Sequence, residues 1–204
     1  SGRAWSSMRE AAPLRVLVAG AAGPLGGGLL RDAWTCEAAH QITVLTRQPL
    51  RPVSPRLRSG WATDEAEASV WLSRLPDQDM AVLHTGRPRS EREAVFWSPR
   101  RSQLPALAQA LRARGVRALL VVLAPGDPAF SPQERAALES LAFEHLALRD
   151  PPADTLRAQP AACLAQRCAD WMIRTLVRFM AAPAPVRRRR SARSPTNRSS
   201  GPRV

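Results

Sequence analysis

Leu14-Arg-Val-Leu-Val-Ala19, continuing into Gly20-Ala-Ala-Gly23-Pro-Leu-Gly26-Gly-Gly-Leu-Leu30, is the stretch that decides the fold. The first six residues form a short apolar run rich in branched side chains, the mark of a strand buried on both faces of a parallel sheet. The glycines then require a tight turn, and the turn opens a helix expected to end near Ala33 or Trp34. Gln41-Ile-Thr-Val-Leu-Thr46 reads as a second strand. Strand, glycine turn, helix and strand in about thirty residues make a βαβ unit, whose crossover is expected to be right-handed.

The same rhythm continues more faintly downstream. Residues 58–63 read as a weak edge strand, 64–75 as helical in composition, and 79–84 as a buried strand ending in His84. Leu104, Leu107, Ala108 and Leu111 recur at helical spacing before Gly115, which serves as a stop. Residues 116–123 form the strongest strand signal, Pro132 stands where a helix would begin, and 145–148 is a last strand before Pro151 and Pro152. Residues 161–180 read as a final helix, with Leu164, Cys168, Trp171, Met172, Leu176 and Phe179 at steps of three and four. The alternation predicts an α/β protein: a doubly wound, mostly parallel Rossmann sheet in three layers, a C-terminal helix and a disordered basic tail. Its expected divisions are a flexible segment over 1–13, an NAD(P)-binding domain over 14–182 and the tail over 183–204.

Gly20-x-x-Gly23-x-x-Gly26 has the spacing of a dinucleotide fingerprint, and the context this motif needs is present on both sides. Glycine serves where the chain turns with positive φ, where backbone approaches a pyrophosphate, and where helix and strand pack closely. The helix N-terminus adds unpaired N–H groups and a partial positive charge. Gly20, Ala22, Gly23, Pro24, Leu25 and Gly26 are therefore the expected phosphate turn. NAD-preferring sites place an acid at the end of the second strand, for the ribose 2′-hydroxyl. Here the chain has Thr46-Arg47, with Arg51 near and no acid until Asp64. A guanidinium suits a 2′-phosphate, so NADP is expected over NAD. The alternative is that Arg47 merely faces solvent.

Val16 to Gly26, with Val44-Leu-Thr-Arg47, resembles the atypical short-chain dehydrogenase/reductases of the NAD(P)H-binding, NmrA-like type. The resemblance extends loosely through Ala81-Val-Leu-His-Thr-Gly86 and Leu141-Ala-Phe-Glu-His-Leu146, spanning about residues 14–150. It implies a Rossmann sheet of six or seven strands with a small C-terminal part over a substrate cleft. It also implies that Thr85 and Gly86 lie beside the nicotinamide. Active members of that superfamily use a Tyr-x-x-x-Lys pair and a Ser at the end of the fifth strand. This chain has neither tyrosine nor lysine, and alignment puts Asp127, Ser131 and Leu123 near those three places. Many relatives of the NmrA-like type also lack the pair and serve as cofactor-binding sensors or scaffolds.

Among the other candidates, His84 stands at the ligand-bearing C-terminal rim and is the best general acid/base, set against a histidine that only bonds to backbone. His40 and His145 fall at strand starts, on the wrong edge. Ser131 before Pro132 and Gln133 reads as a helix cap, and Asp127 after Gly126 as turn chemistry. Arg87, Arg89, Arg92, Arg100 and Arg101, tempered by Glu91 and Glu93, read as a solvated, charge-mixed loop or a closure over an anion. Phe96 and Trp97 read as packing.

At 204 residues the chain suits one domain. All 30 of its Lys+Arg residues are arginine, which removes chemistry built on a Lys Schiff base, a P-loop lysine or a Tyr phenol. Seven of these arginines fall in residues 187–204 with no acid, leaving +6 of the +13 net charge to the rest. That tail should be disordered and bind nucleic acid only non-specifically, or have no evolved role. Three cysteines without ligand spacing give no metal site and no disulfide framework. No apolar run is long enough for a membrane span, and no signal peptide opens the chain, so a cytoplasmic protein is expected. Met8 reads as a natural start, with Ser1–Ser7 upstream. Two classes of function follow. One is an NADP(H)-binding oxidoreductase with weak or no activity, working without Tyr and Lys. The other is a non-catalytic cofactor-sensing regulator or scaffold with a protein partner or as a homodimer; nucleic-acid association through the tail is a third.

Overall fold

The computed structural model describes residues 14–51, 54–64 and 66–151. The expected helix over 161–180, the N-terminal segment and the basic tail lie outside these residues. Six parallel strands form one sheet in the order β3-β2-β1-β4-β5-β6. They are β1 (Leu14–Ala19), β2 (Ala39–Thr46), β3 (Leu57–Trp61), β4 (Met80–His84), β5 (Ala118–Val122) and β6 (His145–Arg149). The chain runs from β1 to one side through β2 and β3, then returns to the other side of β1 with β4. The β1/β4 boundary is thus the point where strand order reverses, the place where open α/β sheets take their ligands.

Alternation along the strands divides the core into two layers. Ala118, Leu120 and Val122 of β5 join Val16, Val18, Met80 and Val82 on one face. Leu119 and Val121 join Leu17, Ala81 and Leu83 on the other. Among the described residues, α1 (Gly23–Thr35) packs on the first face through Leu25, Leu29 and Ala33. The second face carries α2 (Ala68–Leu72), α3 (Leu104–Ala113) and α4 (Pro132–Glu139). These buried strands read as continuous apolar runs because both of their faces are covered. The helix expected over 64–75 is shorter: α2 buries Trp71 and Leu72, while Ala66 and Leu75, outside it, pack on the same core without being helical.

The β5–α4 loop is held by guanidinium groups. Ser131 caps α4 by accepting from the Glu134 amide, and Glu134 answers by accepting from the Ser131 amide. Arg101 meets both Glu134 oxygens, at 2.7 and 2.6 Å, and reaches the Pro128 and Ala129 carbonyls. Phe130 lies between Arg101 and Arg135, whose guanidinium carbons sit 5.9 and 5.4 Å from its ring centre. The Arg101 bond, then the Ser131 amide, hold the Glu134 carboxyl down at about 2. A carboxyl lowered on folding stabilises above its unfolded pKa and loses that contribution as pH falls toward the folded value. The midpoint gap between wild type and Glu134→Gln should therefore be full at pH 6 and shrink from about pH 4.5 to pH 2, as thermal melts across that range would read.

Candidate functional site

The site is built where the ends of β1, β2 and β4 meet. Gly20 has φ +82°, and a Cβ on it would stand 1.9 Å from the His84 carbonyl oxygen. A Cβ on Gly26 would stand 2.1 Å from the Gly20 carbonyl oxygen. Both positions are closed to any side chain by backbone, which cannot rotate away. Gly23 differs: its φ is +74°, but nothing lies within 4 Å of where a Cβ would be. Ala22 precedes the first turn of α1 and has no side chain to cap it. Pro24 has no N–H, so the donors of that turn come from Gly23, Leu25 and Gly26.

At the end of β2, Thr46 is fully buried and donates its hydroxyl to Gln48 O at 2.8 Å. Arg47 is half-exposed and pairs with Asp64 at 3.0 Å. Asp64 also accepts from the Trp97 indole at 2.9 Å and has Arg100 at 3.8 Å. Burial pushes the Asp64 carboxyl up. The bonds from Arg47 and Trp97 and the charges of Arg47 and Arg100 outweigh it and hold the group below its ordinary range.

Phe96 and Trp97, read from sequence as packing beside a charge-mixed loop, do pack, and with Val95 they supply a feature of their own here. Trp97 N donates to Leu45 O at 3.0 Å, Arg47 N to Val95 O at 2.8 Å, and Gly20 N to Trp97 O at 2.9 Å. Phe96 pairs antiparallel with Thr46. Where β1 ends, residues 95–97 thus run on beside β2 and bridge it to the glycine turn. Trp97 is buried to 2% and packs edge-on against Trp71. Behind Asp64 and Trp97, a cavity of about 690 Å³ opens between α2 and α3. Among the described residues its wall carries Asp64 and Glu67 and no guanidinium, a lining that does not suit a phosphate.

At the end of β4, His84 is 2% exposed. Its Nδ1 lies 2.9 Å from Gly20 O, so the proton sits on Nδ1 and Nε2 is a bare acceptor, buried without a partner among the described residues. A Cβ on Gly86 would come within 2.1 Å of the His84 ring, so the ring rests against that glycine. Thr85 donates to Asp127 at 2.6 Å and accepts from Ala124 N at 2.8 Å, tying β4 to the loop after β5. The structure thus brings Gly20, Gly26, His84 and Gly86 into one packed knot and places Thr46 and Arg47 at its β2 end. Sequence reasoning missed Asp64, Trp97 and the Thr85–Asp127 bond as parts of this rim. The first acid after β3 and the lone indole among arginines were the available signals.

No family model matches the sequence, and no curated protein does. Among solved structures, a proposed epimerase of Bacteroides thetaiotaomicron is 17% identical, with a TM-score of 0.42 and 69% of this chain and 72% of that one covered. The triphenylmethane reductase of Citrobacter sp., complexed with NADP(H), is 13% identical with a TM-score of 0.42. The match covers 64% of this chain and 46% of the reductase, so this chain spans less than half of that protein's length.

Burial lowers the His84 pKa, and the bond to Gly20 and the charge of Asp127 only partly oppose it. The unfolded histidine, near its ordinary value of about 6.5, then takes a proton that the folded one refuses. Stability that is full above pH 6.5 should fall as pH drops toward the folded value, with a slope of up to about 1.4 kcal/mol per pH unit. Denaturant titrations between pH 7.5 and 5 should show this slope in wild type and a flatter profile in His84→Gln.

Proposed function

We propose that this chain binds a dinucleotide, NADP(H) in preference to NAD(H), through the glycine turn, and that it turns over carbonyl substrates feebly or not at all. The observation that carries the reading is the turn itself. Two of its glycines are closed to side chains by backbone, the third opens onto free space, and an uncapped helix begins there at the point where strand order reverses. The pyrophosphate end fits this geometry. Gly23, Leu25 and Gly26 would supply the backbone donors. Arg47, at the end of β2 and with no acid beside it in sequence, would meet the 2′-phosphate, with Asp64 as its competitor for that guanidinium.

The ribose end carries the chain's own residues 95–97. A cofactor that needs that space binds only the fraction of molecules in which this segment has moved, which weakens its apparent affinity. A bound NADPH would supply a hydride; the chain's own part in reduction is to deliver a proton. No tyrosine or lysine exists to do so. His84, the remaining candidate, donates its Nδ1–H to the Gly20 carbonyl, and burial keeps its bare Nε2 from taking a proton, so it has none to give. General acid/base help is commonly worth about 10²–10⁴-fold, and its loss favours binding without turnover. Cofactor sensing, in a cytoplasmic regulator or scaffold with a protein partner or second copy, is the role that suits such a site.

Gly23→Ala separates folding from binding. Its added methyl meets no atom, so the cost is the positive φ alone, about 1–2 kcal/mol. The variant should stay folded and lose NADPH and NADH together in calorimetric titration, because the methyl stands where a phosphate would lie. Arg47→Ala should weaken NADPH by about 1.5–3 kcal/mol and leave NADH nearly unchanged. Unchanged cofactor binding by folded Gly23→Ala, or no binding by wild type, would overturn the reading.

A further inference from the structure

Asp64 holds two groups that a bound cofactor would need free. Its Oδ2 takes the Arg47 guanidinium at 3.0 Å, with Arg100 at 3.8 Å, and its Oδ1 accepts from the Trp97 indole at 2.9 Å. Trp97 ends the short segment 95–97, whose main chain lies beyond the end of β1 and beside β2. Three backbone bonds seat it there: Trp97 N to Leu45 O at 3.0 Å, Arg47 N to Val95 O at 2.8 Å, and Gly20 N to Trp97 O at 2.9 Å. Arg47 is thus restrained twice, its amide by Val95 and its guanidinium by Asp64. The Arg47 side chain is nearly half exposed and the Asp64 side chain partly so, which puts their pair at the boundary with water. The seat is also imperfect. Ser98 Oγ, next along the chain, is buried without a partner among the described residues, a cost that the seated segment carries and a displaced one does not.

We infer that Asp64 is a clasp on the dinucleotide site, one oxygen holding segment 95–97 shut and the other holding the arginine meant for the 2′-phosphate. The inference rests on the cofactor reading above and adds its regulation. In the shut state the segment fills the crevice between the end of β2 and the glycine turn, and Arg47 faces a carboxylate. Either cofactor waits for the segment to leave, so its apparent affinity falls by the fraction of molecules that are open. NADP(H) must also draw Arg47 away from Asp64, whereas NAD(H) need not. The pair therefore narrows the preference for NADP(H) by what a water-exposed ion pair is worth, about a two- to fivefold factor. The indole bond to a charged acceptor is the stronger grip. The segment, not the arginine, sets how rarely the site opens.

Hydrogen exchange of the full-length chain, followed by NMR without cofactor, reads the clasp directly. The Gly20, Arg47 and Trp97 amides all donate at the segment's seat, so they should exchange together and faster than Val82 and Leu120 in mid-sheet. Relative to those two controls, Trp97→Phe should speed the three amides by about tenfold or more, and Asp64→Asn by less, since asparagine keeps an acceptor for the indole. Calorimetric titration then reads the consequence. Trp97→Phe should tighten NADPH and NADH by one common factor. Asp64→Asn should tighten both and raise the preference for NADPH by a further two- to fivefold or so. Trp97→Phe also loses packing against Trp71, so the nearly isosteric Asp64→Asn carries the test if that variant does not fold. Three amides as slow as Val82 and Leu120 in every protein would overturn the clasp, because the segment would then be a fixed part of the sheet. Weaker binding of both cofactors by folded Asp64→Asn would overturn it too, making Asp64 a cofactor contact. If no protein in the set binds either cofactor, the cofactor reading falls alone, and the amide rates still uphold or overturn the clasp.

Discussion

Backbone meeting backbone without side chains between is the constraint on which this molecule rests. Gly26 lets the first turn of α1 approach the Gly20 carbonyl, and Gly20 lets the end of β1 approach the main chain of His84. Helix, turn and the two central strands are thereby locked in sequence, and the gap at the reversal of strand order becomes a narrow seam. His84 fills that seam with its ring, bonded to one glycine and resting on another. A methyl group at either closed position would force the central strands apart, so the cost would reach well beyond the turn.

Electrostatics here is an arginine affair, and the +13 net charge conceals how much of it is spent locally. Arg15 binds Asp79, Arg101 binds Glu134, and Arg47 shares Asp64 with Arg100. Arg56 reaches the carbonyls of Cys36 and Ala39, where α1 ends and β2 starts. A guanidinium has five donors in a rigid fork, so one side chain can hold a carboxylate and a loop carbonyl together. A lysine in the place of Arg101 could keep the attraction but not the fork. The pairing of Arg47 follows the same rule, and it means that the cation at the end of β2 already has a carboxylate partner.

The fold was legible because its signals are local: apolar runs for buried strands, glycine and proline at turns, and Ser131 with Glu134 as a cap. β1 begins and ends where the sequence places it, and β3 is the edge strand its weak pattern suggested. The glycine turn was legible too, since Gly20 and Gly26 are closed by backbone and Gly23 turns with positive φ, reasons that spacing alone can signal. The stretch from Arg87 to Arg101 was legible only in part. Phe96 and Trp97 read as packing, and they do pack, but nothing local says where. Phe96 and Trp97 meet β2 and Val95 meets Arg47 just beyond it, some fifty positions away. Charge density describes a segment's surroundings on average and says nothing of three apolar residues inside it. His84 was placed at the correct rim, while its burial depends on Gly86 and Gly20, which no single-residue reading joins to it.

Trp97 gives that rim a voice of its own. Its indole is dry, edge-on to Trp71, and donates to a carboxylate whose charge is held by two arginines. An indole in such surroundings emits at short wavelength, and contact with water moves the emission to the red. Trp34 and Trp61 are substantially exposed and contribute a steady red background. Trp71, buried against Trp97, emits in the same blue range, so the blue edge of the protein's own fluorescence reports this edge-on pair as a unit, and wetting of the segment beside β2 would redden the Trp97 share of it.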